Sequence, residues 1–135
     1  MDDRLSVLAR ANEAELKSFA ETLIPDLGEI DVMQSRSGLV MLPMRDTAKG
    51  VAFHLGEVLV SEAHIKSGEA TGYGMRRGHD LEASMAMALV DLAITSQVRV
   101  VDCVAFCDAQ AKAQAEDDYE TLRRVEATRV NMETF

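Results

Sequence analysis

Aromatic side chains are scarce in this chain. Trp is absent, and Phe and Tyr together make up 4% of its 135 residues. Eight Met and many Ala supply the apolar volume instead. Because Met is flexible and adapts to irregular surfaces, this composition indicates either a core filled by Met or a large contact with a partner. Both interpretations stay open at this point.

Long apolar runs are also missing. No stretch reaches the roughly 18 consecutive apolar residues that a membrane-spanning helix requires. The sequence starts Met-Asp-Asp-Arg, without the apolar segment of a signal peptide. A net charge of −9 disfavours nucleic acids and anionic membranes as partners. We therefore expect a cytoplasmic protein with one domain over residues 1–135.

Cysteine is limited to Cys103 and Cys107. Their spacing of four residues places them on one face of a helix. Metal sites usually use a Cys-x-x-Cys pair with further ligands nearby, and neither feature is present. We interpret both thiols as small buried apolar groups.

Residues 1–25 predict a helical arm made of two short helices. Asn12 has the chemistry of an N-cap, with Glu15 three positions later. An apolar stripe at helical spacing follows it. Pro25 is predicted to end the second helix, because proline disrupts helical hydrogen bonding.

Residues 29–76 predict an antiparallel sheet of four strands in meander order. Ser37-Gly38 predicts a turn between the first two strands. The alternation of apolar residues changes phase at Gly56, which indicates a β-bulge. The predicted strands start at Ile30, Leu39, Val51 and Thr71. The apolar run from Leu39 to Leu42 is typical of a central strand. Residues 46–50 predict a polar loop.

Residues 80–130 predict helices. Asp80 has the chemistry of an N-cap, and an apolar stripe follows. The last helix has a thin apolar face formed by Tyr119, Leu122 and Val125. Because such a helix gains little from packing on its own domain, we expect it to lie against another chain. The predicted fold class is α+β, with the sheet packed against helices.

The segment from Gly72 to Asp80 joins a strand to a helix and contains Arg76, Arg77 and His79. Glycines let a backbone approach a ligand, and a helix N-terminus attracts anions. Guanidinium groups bind phosphate oxygens well. One interpretation is a weak substrate or anion site, or a site for an acidic partner. The other is a plain turn with solvated arginines.

Histidines and carboxylates give no clear catalytic pattern. His54, His64 and His79 do not have the spacing of metal ligands. Glu57 and Glu62 flank an apolar strand, where paired carboxylates could do acid–base chemistry. Residues five apart on a strand point to opposite faces, so surface charges are the simpler interpretation. We predict no catalytic residue and no metal site.

Asp91 lies between Val90 and Leu92, close to the apolar stripe of its helix. A partly buried Asp requires a partner, and Arg is the usual one. That partner belongs either to this chain or to another subunit.

Four segments together resemble the G subunit of the bacterial carbon–phosphorus lyase core complex, the PhnG family. No single segment is diagnostic, but their order and spacing match over nearly the whole chain. They are Gly38-Leu-Val-Met, Phe53 to Ala63, Gly72 to Asp91, and Ala127 to Phe135.

The resemblance implies a cytoplasmic hetero-oligomer with H, I and J subunits, the I subunit being the closest companion. It implies a role in the step where a phosphonate displaces adenine from ATP, giving a ribose 1-phosphonate 5-triphosphate. ATP would be the co-substrate of the complex, and no catalytic residue carries over. A stand-alone enzyme using Arg76, Arg77 and Glu57 and a pure assembly adaptor remain alternatives. The expected interface residues are Asp91, Arg129, Met132 and Phe135.

Overall fold

The computed structural model describes residues 3–45 and 53–133. These residues form four helices and one antiparallel sheet of three strands. The α+β class is therefore confirmed, and the prediction of four strands is wrong. In chain order the elements are α1 (Asp3–Arg10), α2 (Glu13–Leu27), β1 (Asp31–Arg45), β2 (Phe53–Ser67), β3 (Ala70–Arg77), α3 (Leu81–Thr95) and α4 (Val100–Glu133).

The first two predicted strands are one continuous strand, β1. Ser37 and Gly38, the predicted turn, pair with Ser61 and Val60 of β2. Gly38 is not among the glycines with positive φ, so its backbone does not reverse the chain. A glycine and two serines are tolerated here because β1 lies at the edge of the sheet, where side chains need not fill a core. The strand order is β1-β2-β3.

The predicted central strand is an edge strand, and the predicted bulge at Gly56 is absent. Leu39 is 61% exposed, although it begins the apolar run. Gly56 pairs with Leu42 in an unbroken register, and the register shifts at Met33 instead. The phase change near Gly56 has another cause. Val58 and Val60 are half-buried on the open side of the sheet, whereas Ala63 and Ile65 are buried on the helix side, so the covered face of β2 changes along the strand.

A two-stranded ribbon extends beyond the rest of the sheet. β3 pairs with β2 only from Val60 to Ser67. Residues 53–59 of β2 therefore pair with residues 39–45 of β1 alone. We call these two segments the β1–β2 ribbon. The predicted loop at residues 46–50 lies outside the described residues.

Helix α3 is the centre of the core. It packs over β2 and β3 on one side and is covered by the other helices. Its contact with β3 is close because Gly72 and Gly74 have no side chain. A Cβ at these positions would collide with the carbonyl groups of Ala88 and Ser84, respectively. Any larger residue there would push α3 off the sheet.

Of the two predicted boundaries of α2, the structure confirms the first and contradicts the second. Asn12 accepts a hydrogen bond from the amide of Glu15 (3.0 Å), which confirms it as the N-cap of α2. Pro25 does not end α2, which continues to Leu27. Leu27 is buried, and this packing holds the last turn in place. In residues 3–45 and 53–133, no helix is long and apolar enough to cross a membrane.

Candidate functional site

The side chains of Arg76 and Arg77 do not point in the same direction. They are adjacent residues of β3, so their side chains point to opposite faces of the sheet. Arg76 is 8% exposed and lies on the helix side. Arg77 is exposed on the open side, and His79 is exposed in the turn that follows.

The Arg76 guanidinium group is fully engaged with helix α1. It donates to the carbonyl oxygens of Leu8 (2.5 Å) and Ala11 (2.8 Å), at the C-terminal end of that helix. Burial lowers the pKa of Arg76, and the charges of Glu13 and Asp80 oppose that effect. A cation is favourable at a helix C-terminus. Arg76 therefore fastens α1 to the sheet.

The N-terminus of α3 already holds a carboxylate. Asp80 accepts a hydrogen bond from the amide of Ala83 (3.1 Å) and binds the ammonium group of Lys17 (2.8 Å). The hydrogen bond from Lys17 lowers the pKa of Asp80 most, and the hydrogen bond from the Ala83 amide lowers it further. An anionic ligand at this helix end would have to compete with that carboxylate.

Asp91 lies at a junction of three elements. The side chain of this α3 residue accepts hydrogen bonds from Arg4 of α1 (2.7 Å) and from the amide of Tyr73 in β3 (3.0 Å). Asp91 is 8% exposed. Its Arg partner is thus in the same chain, which the sequence left open.

A polar cluster that sequence reasoning missed lies on the open face of the sheet. The Tyr73 hydroxyl donates to Glu62 (2.5 Å), and Glu62 also accepts from Arg36 (3.1 Å). The His64 ring meets Tyr73 edge-on, with 6.1 Å between centroids. These residues come from three strands, so only the strand register reveals their proximity.

The cluster is not suited to proton transfer near neutral pH. Burial and the bond to Glu62 raise the pKa of Tyr73 to about 12. The Tyr73 hydroxyl and Arg36 lower the pKa of Glu62. A general acid or base works best with a pKa near the operating pH. Tyr73 therefore stays protonated and Glu62 stays ionised, a stable pair.

The cysteines and histidines form no metal centre in the described ranges. No group of three or more His, Cys, Asp or Glu could hold an ion there. Cys103 is buried and Cys107 is partly buried. Burial raises the pKa of the Cys103 thiol to about 11 and also raises that of Cys107. The thiols are therefore unreactive packing groups.

Exposed apolar side chains on α4 form one candidate surface. Leu122 is 59% exposed, and Tyr119 and Val125 are similarly exposed. Arg129 makes only an exposed contact with Glu126 on its own helix (3.3 Å). We call residues 115–133 the distal half of α4. Met132 lies on its last turn, and Phe135 is outside the described residues.

A second candidate surface lies on the open face of the sheet. A groove of about 410 Å³ extends from Ala9 and Arg10 of α1, past Arg76, to Arg77. Arg77 stands beside the apolar side chains of Val58, Val60 and Met75 there. This apolar area, with the Arg77 guanidinium beside it, is complementary to a protein surface that has an apolar centre and an acidic rim.

No curated protein matches this chain. The sequence model of the family described as phosphonate metabolism protein PhnG matches residues 2–135. The chain therefore belongs to the PhnG family of phosphonate metabolism proteins.

Proposed function

We propose that this chain is a subunit of the carbon–phosphorus lyase core complex, with the H, I and J subunits as partners. In this proposal it supports the displacement of adenine from ATP by a phosphonate, and ATP is the co-substrate of the complex. The observation that carries the subunit role is the distal half of α4. Its large apolar residues Tyr119, Leu122 and Val125 are each more than half exposed.

The chemistry of the described side chains favours a supporting role over a stand-alone enzyme. Arg76 is engaged with α1, and Asp91 with Arg4 and the Tyr73 amide. The Glu62–Tyr73 pair has pKa values displaced away from neutrality. A catalytic site needs groups that converge on a substrate, and these groups bind one another instead.

Reconstitution of the complex tests the proposal. The chain is co-expressed with the H, I and J subunits, and adenine release from ATP is measured with an alkylphosphonate. We expect all four subunits to co-purify, and adenine release to require this chain. Activity of the chain alone would support the stand-alone enzyme. Full activity of H, I and J without it would contradict the proposal.

Arg77 offers a specific prediction. Arg77→Gln should weaken assembly about tenfold, since a charge-assisted contact contributes roughly 1.5 kcal/mol. Fold stability should not change, because Arg77 is exposed. The measurement is the affinity of the variant for the other subunits, with adenine release in the assembled fraction. The control is Lys112→Gln, which removes the same charge from an exposed residue of α4.

The two readouts separate the roles that remain open for Arg77. Weaker assembly with normal release from the assembled fraction is the expected outcome. Normal assembly with lost release would instead place Arg77 at a shared active site. No change in either would mean that Arg77 is a solvated residue.

A further inference from the structure

On the β1 side of the sheet, helices α2 and α3 face Ser35 of β1 across a groove. Helix α2 packs mainly on α3 and makes little contact with any strand. A groove of about 310 Å³ lies between α2, α3 and the edge strand. Ile24 of α2, Met85 and Leu89 of α3, and Ser35 of β1 line it. Ile24 is 45% exposed, so the groove has an uncovered apolar wall.

The outer edge of β1 has few of the features that usually protect an edge strand. Natural edges are short, or carry bulges, prolines and several charges. β1 is 15 residues long. Its bulge at Met33 and its Pro43 lie towards the two ends. Between them, residues 34–42 contain one charged residue, Arg36.

We propose that residues 34–42 of β1 accept a β-strand from a partner subunit. The added strand would lie beside β1 and below α2, in the place where the described sheet ends. Its backbone would satisfy the outer amides and carbonyls of β1, as in other cases of strand addition. Alternate side chains on its helix side would enter the groove beside Ser35. The partner segment is therefore extended and apolar at alternate positions.

Charge argues that the donor is a different chain and not a second copy. The rim of the groove carries Glu21 and Glu82, while the Lys17 ammonium group is already bound to Asp80. Each copy of this chain has a net charge of −9. Two copies would bring like charges together at an acidic rim. The complementary partner strand carries basic residues next to its apolar ones.

The inference rests on the proposed assembly, and site-specific cross-linking tests it. The photo-reactive residue p-benzoylphenylalanine replaces Ser37 or Met41, which share one face of β1. These positions are about 13 Å apart along a strand. In the complex with the H, I and J subunits, their cross-links should reach residues about four apart in one partner segment. A helix lying along β1 would give a separation of about nine residues.

Substitution in the groove gives an independent readout. Ile24→Glu adds a carboxylate to the apolar wall and the acidic rim, and should weaken assembly about tenfold or more. Val101→Glu makes the same kind of change on an exposed part of α4 and should have no effect. Both sites are exposed, so thermal melting of the free chain should be unchanged for both variants.

The outcomes distinguish this inference from the proposed function. A wild-type chain that forms no complex contradicts the proposed function itself. A complex that forms without cross-links from β1, or with helical spacing, overturns the strand-addition proposal alone. Cross-links to β1 of a second copy would show that β1 pairs in a homodimer, which also overturns the strand-addition proposal.

Discussion

A chain that ends at Tyr119 should fold as before and fail to join the proposed complex with the H, I and J subunits. Helix α4 has 34 residues, about 50 Å of helix. The last side chains that reach the rest of the domain are Gln114, which donates to the Val7 carbonyl (2.9 Å), and Asp118, which binds Arg10 (2.9 Å). Removal of residues 120–135 deletes no core contact among the described residues, so the melting temperature should change little.

Assembly should respond very differently, because the deleted segment holds the exposed apolar residues Leu122 and Val125. A few large side chains usually carry most of the binding energy of an interface. The measurement is co-purification with the H, I and J subunits. The full-length double variant Leu122→Glu and Val125→Glu should reproduce the loss without shortening the helix. Val104→Glu, also on α4, is the matched control. Full-yield co-purification of the truncated chain would contradict the prediction.

The helices could be predicted from sequence because their signals are local. Asn12 and Asp80 are N-caps in the structure, as their chemistry indicates. The apolar stripe after Asp80 also corresponds to a buried helix, α3. Capping and helical periodicity depend on residues three or four positions apart, so they need no knowledge of the rest of the fold.

The sheet was harder because β1 is exposed on both faces over residues 31–39. Without burial, an edge strand does not alternate, and a Ser-Gly pair looks like a turn. Gly38 is in fact an ordinary extended residue paired with Val60. The continuous apolar run from Leu39 normally marks a central strand. Here Leu39 and Met41 are more than half exposed, so this run does not mark a core strand.

The candidate site depended on contacts between distant residues. Alternation on a strand predicts that Arg76 and Arg77 lie on opposite faces. It does not predict which groups each side chain contacts. The carbonyl groups that bind Arg76 lie 65 and 68 residues earlier in the chain. Glu62 and Tyr73 come together through the β2–β3 register. Sequence spacing alone carries no information about such pairs.

Loss of the Asp91 carboxylate should destabilise the folded chain strongly. Asp91→Ala leaves the Arg4 guanidinium without its partner and the Tyr73 amide without its acceptor. Within residues 3–45 and 53–133, Asp91 is the hydrogen-bond partner of the Arg4 guanidinium, and the buried Nε of Arg4 has none. Removing one member of a buried charge pair costs about 3 kcal/mol or more. Because 25% of the Arg4 side chain is exposed, we expect a cost of about 3 kcal/mol and not more.

Thermal melting of the free chain and of the assembled complex measures this loss. A cost of about 3 kcal/mol lowers the melting temperature of a chain of this size by about 10 °C. Asp91→Asn should lose less, because its amide oxygen still accepts one hydrogen bond. Asp118→Ala removes an exposed partner of Arg10 and should leave melting unchanged. Combining Asp91→Ala with Arg4→Met should recover part of the loss, because no charge is then left unpaired. An Asp91→Ala chain that melts like the wild type would show that the junction of α1, β3 and α3 does not depend on this carboxylate.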